Sequence, residues 1–201
     1  MRLGLYGGTF DPVHYGHLLL AEQCREQCAL DAVWFLPAGS PPHKQTQPIT
    51  PGVSRAEMLE IAIAGHAQFK VDRRELKRSG ASYTVDTLSE LASEDPTREL
   101  FFLMGSDSLA DLATWRDPQG IARLAWLVVV NRGGEPLPDL AAVRNALGAE
   151  VADRIRLVTM PGVDYSAHDI RHRVSNGKSI RFQTPRGVES YIIENKLYGK
   201  S

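Results

Sequence analysis

Cysteine is almost missing from this chain: Cys24 and Cys28 are its only two in 201 residues. Two thiols cannot build the disulfide framework that staples small secreted domains, and without a nearby Cys or His partner they make a poor zinc set. Their i, i+4 spacing reads as two ordinary positions on one helix. Charge of a single sign is missing too. With 23 basic residues against 24 acidic ones, bulk electrostatics gives no reason to expect nucleic acid or an anionic membrane as the main partner. No apolar run approaches the roughly 20 residues that span a bilayer, no charged and apolar leader precedes Leu3, and there are no repeats or low-complexity tracts. These absences predict a cytoplasmic protein with a small ligand. No Ser/His/Asp set or pair of carboxylates stands out, so the usual signs of nucleophilic or general acid/base catalysis are lacking. The length suffices for one domain with a full core.

What is present is an alternation of apolar runs and helical patterns. Strands are predicted at Leu3 to Tyr6, Ala32 to Pro37, Phe69 to Asp72, Leu100 to Gly105, Ala125 to Asn131 and Ile155 to Thr159. The runs LFFLMG and AWLVVVN are continuously apolar, as strands of a parallel sheet buried on both faces are. Between the strands, helices are predicted over Leu18 to Cys28, from Ser54 to about Ala64 with Ser54 and Glu57 as a capping box, and after Asp117-Pro118 as N-cap and N1. Two more begin near Ser166 and at Thr184-Pro185. A long Pro-rich loop, Ala38 to Val53, interrupts the pattern. The fold class is therefore α/β, a Rossmann-like doubly wound parallel sheet in a single domain.

The densest chemistry follows the first strand, in GGTFDPVHYGH (Gly7 to His17). Glycines at a strand end allow a tight turn and a close backbone approach to a ligand. His14 and His17 are three apart, so a helix starting here carries both imidazoles on one face of its first turn, where amides are unpaired and the helix dipole favours an anion. That combination suits phosphate. It is neither a Walker loop, which needs GxxxxGK[ST], nor a GxGxxG dinucleotide fingerprint.

The HxGH spacing resembles the T/HxGH nucleotidylyltransferase superfamily, and the longer GGTFDPxHxGH is similar to the nicotinate-nucleotide adenylyltransferases in particular. Later segments extend the resemblance over most of the chain. SYTVDTL (Ser82 to Leu88) resembles the family's mononucleotide-binding segment, although by pattern alone it is a capped helix. GSDS (Gly105 to Ser108) places Asp107 where the family contacts a nucleotide ribose; an N-cap is its other reading. Trp115 matches the tryptophan that stacks on the pyridine ring, and is otherwise a core residue. PPHK (Pro41 to Lys44) is either a lid over triphosphate or a solvent-exposed loop. YSAHDIRHRV (Tyr165 to Val174) resembles the family element ISSTxIR: Ser166 and Arg171 match, while Ala167 and His168 stand where Ser and Thr are usual. His168 and His172 at i, i+4 also have the spacing of a metal pair, without further ligands nearby.

The resemblance implies transfer of AMP from ATP to nicotinate mononucleotide, giving nicotinate adenine dinucleotide and pyrophosphate in NAD biosynthesis. It implies that Gly7, Gly8, Thr9, Phe10, His14, His17, Gly105, Asp107, Ser166, His168 and Arg171 bind ATP. Tyr83, Thr84, Trp115, Asp11 and Lys44 bind the mononucleotide, and His17, His14, Arg171 and Lys44 act on the reacting phosphates. Helices within 166–197 complete the ATP site. Magnesium arrives with ATP, and no structural metal is expected. Other readings stay open: a relative acting on nicotinamide mononucleotide, phosphopantetheine or glycerol phosphate, a non-catalytic nucleotide sensor, or RNA binding through Arg73, Arg74, Lys77 and Arg78.

Overall fold

Residues 1–39, 49–133 and 136–199 are described by a computed structural model. Six strands, β1 (Arg2–Gly8), β2 (Ala32–Pro37), β3 (Phe69–Val71), β4 (Glu99–Gly105), β5 (Ala125–Arg132) and β6 (Ile155–Met160), form one sheet in the order β3-β2-β1-β4-β5-β6. Every pairing is parallel. The sequence-based strands all appear, with ends shifted by at most two residues. Continuous apolar runs produce this sheet because each strand must satisfy two cores. In β4, Phe101 and Leu103 point to one side and Leu100, Phe102 and Met104 to the other; in β5, Val128 and Val130 oppose Leu127 and Val129.

Helices cover both faces. On one lie α1 (Tyr15–Gln27), α2 (Gly52–Ala62), α8 (Ala167–Ser175) and α9 (Arg186–Glu194), which contribute Leu20, Ala21, Met58, Leu59, Ile170, Val188 and Ile192. On the other lie α3 (Thr84–Glu94), α4 (Ser106–Ala110), α5 (Pro118–Leu124) and α7 (Ala149–Ala152), with Leu88, Leu91, Leu109, Ile121 and Val151. Helix α6 (Leu140–Leu147) packs on α7 and buries no residue. Cys24 is buried in α1 and Cys28 is its C-cap, so the thiols are plain helix and cap positions; burial pushes both thiol pKa values up, which makes them poor nucleophiles.

Two helix starts depart from expectation. Helix α1 begins at Tyr15 with His14 as N-cap, three residues before the apolar run. Helix α2 begins at Gly52 behind Pro51, so Ser54 lies inside it and caps nothing, while Glu57 accepts a hydrogen bond from Tyr191 Oη of α9 at 2.5 Å. There the tertiary contact with α9 decides the role that a local capping signal suggested. The start of α5 is as predicted, with Asp117 accepting from the Gly120 amide at 2.8 Å.

Chain order places the Gly-rich turn. β1 is central, and the chain leaves it toward β2 on one side, then returns to pair β4 on its other side. The carboxyl ends of β1 and β4 therefore flank the point where the winding reverses, which is where open α/β sheets hold ligands.

Candidate active site

At that reversal lies a cleft of about 520 Å³. Its walls come from the end of β1 and start of α1 (Gly7, Gly8, Phe10, His14, His17), the end of β4 and start of α4 (Gly105, Asp107), Trp115, and the start of α8 (Ser166, His168, Arg171). The cleft gathers four sequence segments that the resemblance had joined only by role.

The turn is held open by aromatic packing. A Cβ on Gly8 would lie 2.8 Å from the Phe10 ring, so the close approach demands glycine there; a Cβ on Gly7 would meet only ordinary contact with Phe102 at 3.5 Å. Phe10 itself has a left-handed backbone, φ 51°, a conformation that costs a non-glycine residue about 1–3 kcal/mol. Burial holds it there: its ring is 2% exposed and lies 5.3 Å from Tyr6, 5.8 Å from Phe35 and 5.1 Å from His17.

The two motif histidines stack, ring centroids 3.7 Å apart. A Cβ on Gly16 would sit 3.1 Å from His14 Nδ1, so the small residue of HxGH makes room for the ring. His17 Nδ1 accepts the His14 backbone N–H at 3.2 Å, which assigns the proton of the neutral imidazole to Nε2, where it is a donor suited to phosphate. The expectation of unpaired first-turn amides is corrected in part. The Tyr15 amide donates to the Gln183 carbonyl and the His17 amide to that of His14.

The C-terminal segment is tied onto this turn. Arg171 donates from Nη1 to the Asp11 carbonyl at 2.7 Å, and Thr184 Oγ1 donates to the Val13 carbonyl at 2.7 Å. Ser166 caps α8 by accepting the Asp169 amide. His168, exposed in the first turn of α8, lines the cleft, whereas His172 is turned to the Asn176 side chain. Asp107 is the second residue of α4 and not its cap, which is Gly105. A Cβ on Gly105 would meet nothing within 4 Å, so the glycine leaves the cleft floor open.

Two predicted ligand residues lie elsewhere. Thr9 does not line the cleft, and its carbonyl accepts Arg55 Nη1 at 2.6 Å. Asp11 is 5% exposed, and its carboxylate accepts Tyr198 Oη at 2.6 Å and the Thr50 amide at 3.1 Å; it braces the turn from below and does not face the mononucleotide pocket. Lys44, with the rest of PPHK, falls outside the described residues.

Sequence reasoning passed over the brace itself. Arg55, 1% exposed, donates to the carbonyls of Thr9, Ala38 and Thr50. It joins the Gly-rich turn to the two chain segments flanking residues 40–48. Burial pushes its pKa down, opposed by the charge of Asp11, and pushes that of the Tyr198 phenol up. No local pattern marks such a residue, because its partners are scattered along the chain.

Tyr83 and Thr84 are the N-cap and first residue of α3. They line a second pocket, about 180 Å³, with Ser82, Trp115, Arg116 and Ile121. Trp115 borders both cavities and packs edge-on against Phe102 at 5.8 Å. A larger apolar groove of about 700 Å³ between α1 and α2 shares Tyr165 with the cleft and holds none of the predicted residues; its walls carry little polar chemistry, so size alone does not make it the reacting site. Three of the four residues of the basic run pair with carboxylates: Arg73 with Glu60, Arg74 with Asp72 and Glu94, and Arg78 with Glu90.

Residues 5–173 match the cytidylyltransferase-like family. A Thermomicrobium roseum protein named "Probable nicotinate-nucleotide adenylyltransferase" is 47% identical over 98% of this chain and 91% of its own length. One of the same name from Thermus thermophilus is 42% identical over 98% of this chain and all of its own. In fold, the chain resembles the Plasmodium falciparum nicotinic acid mononucleotide adenylyltransferase complexed with NaAD, with a TM-score of 0.78 at 19% identity over 98% of this chain and 97% of that one. Matched at these identities along nearly its whole length, the chain belongs to the cytidylyltransferase-like family and, within it, to the nicotinate-nucleotide adenylyltransferases.

Proposed function

We propose that the cleft transfers AMP from ATP to nicotinate mononucleotide, releasing pyrophosphate and giving nicotinate adenine dinucleotide in NAD biosynthesis. The observation that carries the reading is the convergence of the stacked His14 and His17, Arg171 and the open Gly105 floor on one cleft, with the Trp115 wall leading to the α3 pocket. A phosphate oxygen of the mononucleotide attacks the α-phosphorus of ATP; the new P–O bond forms as the bond to the β-phosphate oxygen breaks. The attacking oxygen is already an anion and needs no base. Catalysis then consists of holding two polyanions together and meeting the charge that develops on the transferring group and the leaving pyrophosphate.

In this reading His17 Nε2–H donates to the α-phosphate in the transition state, and His14, stacked on it, fixes that ring and helps position phosphate. Arg171 serves the leaving pyrophosphate, its guanidinium oriented by the Asp11 carbonyl; Lys44 shares that work on the strength of the sequence resemblance alone. Gly105 and Asp107 border the nucleoside and Ser166 and His168 the phosphates. Trp115 stacks on the pyridine ring, and the α3 amides beyond Tyr83 take its carboxylate. Helices within 166–197 thereby complete the ATP site.

Magnesium suits this cleft as a companion of ATP. Asp107 and Asp164 offer hard carboxylate oxygens on its wall, and among the described residues no group of three or more His, Cys, Asp or Glu is placed to cage an ion. The ion would take its remaining ligands from phosphates and water, and would neutralise phosphate charge. We place the protein in the cytoplasm with its small anionic substrates; among the described residues, no helix is long and apolar enough to cross a membrane. Pyrophosphate release from MgATP, measured with nicotinate mononucleotide, nicotinamide mononucleotide and phosphopantetheine in turn, tests the reading. Release should be fastest with the first, whereas preference for phosphopantetheine, or release with none, would overturn it.

A further inference from the structure

We propose that Arg116 is a specificity-determining residue, whose charge at the α3 pocket selects the acid mononucleotide over the amide. The proposal rests on the reading above and names the side chain responsible for one of its preferences. A carboxylate and a carboxamide on a pyridine ring are nearly the same size and shape. Stacking on Trp115 cannot separate them, and the Ser82 hydroxyl, buried without a hydrogen-bond partner among the described residues, can donate to either or accept from the amide. The difference left to read is one negative charge.

Arg116 is the cation placed to read it. It follows Trp115 directly, lines the same pocket as Tyr83 and Thr84, and its guanidinium carbon lies 4.8 Å from the centroid of the Tyr83 ring. The ring holds a flat cation across the pocket wall. It pairs with Asp86 in the first turn of α3, at 3.4 Å with side chains 59% and 46% exposed. A pair so open and so long is worth little, so the guanidinium keeps most of its attraction for an arriving anion. The remaining nearby charges are matched among themselves: Arg123 faces Asp117 at 3.8 Å and Glu150 at 3.7 Å. Asp86 works in the opposite sense, since its carboxylate sits at the same helix start and repels the acid ligand.

The pair predicts shifts of opposite sign, which a purely structural role would not give. Dissociation constants of nicotinate and nicotinamide mononucleotides are measured by calorimetry on the full chain and its variants. Arg116→Met should weaken the acid about tenfold with less than about threefold change for the amide, and the loss should shrink at high salt. Arg116→Lys should stay near wild type, and Asp86→Asn should shift the ratio further toward the acid. Both sites are exposed, so the variants should fold. An acid-to-amide ratio unchanged in Arg116→Met, or lowered in Asp86→Asn, overturns the proposal. Wild-type protein that binds neither mononucleotide defeats the underlying functional reading instead.

Discussion

A backbone contact sets which nitrogen of His17 faces the cleft as a donor. Because its Nδ1 accepts the His14 amide, the imidazole presents a donor without needing to be charged, and its stacking on His14 keeps that donor on the cleft wall. Interactions that strengthen as charge shifts lower the barrier more than they tighten ground-state binding. His17→Ala should therefore reduce kcat by about a hundredfold to a thousandfold with little change in the KM for ATP, as steady-state kinetics would show; the reverse pattern would make His17 a binding residue only. Glu75 tests electrostatics away from the chemistry. It is 8% exposed and accepts from Thr87 Oγ1 at 2.8 Å, and burial raises its pKa above the usual carboxylate value. An acid raised in the folded state stabilises fully below its unfolded pKa and loses that contribution as pH rises through the folded one. Glu75→Gln keeps the acceptor for Thr87 and removes the charge. Its Tm should exceed that of the wild type near pH 8, with the gap closing near pH 4; parallel melting curves would contradict the assignment. Of these residues only His17 was legible in the sequence, since a motif reports its own spacing, whereas the burial of Glu75 is made by α3 and the turn before it.

At the scale of elements, the segments on either side of residues 40–48 and the Gly-rich turn meet on Arg55. Arg55→Met would leave the carbonyls of Thr9, Ala38 and Thr50 without their donor and the Asp11 carboxylate without its nearby cation. Removing one partner of such a buried network costs about 3–5 kcal/mol, and urea unfolding should show a loss of that order. Arg55→Lys should recover only part of it, because an ammonium lacks the planar fork that reaches several acceptors; full recovery would mean that charge alone matters. Strands and their order of appearance could be read because apolar runs are local. Helix starts were read less well where a distant contact decided them. Ser54 carried a capping signal, but Tyr191 from α9 claims Glu57 and the helix begins earlier. Helix α6 escaped notice because none of its residues is buried: Val143 and Leu147 pack against the core only in part.

For the whole molecule, strand alternation implied a doubly wound sheet, and the observed order with β1 in the middle puts the Gly-rich turn at the reversal point. What alternation could not convey is how the far end of the chain returns: Tyr198, Thr184 and Arg171 all bond to residues 11–13 across more than 150 positions of sequence. Asp11 shows the same limit. Its motif position is visible locally, while its partner Tyr198 is not. The central claim is that the mononucleotide phosphate attacks the α-phosphorus of ATP in the cleft built by these returns. Incubation with MgATP and nicotinate mononucleotide, with ATP labelled at the α-phosphate in one tube and at the γ-phosphate in another, tests it most directly. The account predicts that the α-label moves entirely into nicotinate adenine dinucleotide and the γ-label entirely into pyrophosphate. An α-label that stays out of the dinucleotide, or a γ-label released as orthophosphate, would contradict it.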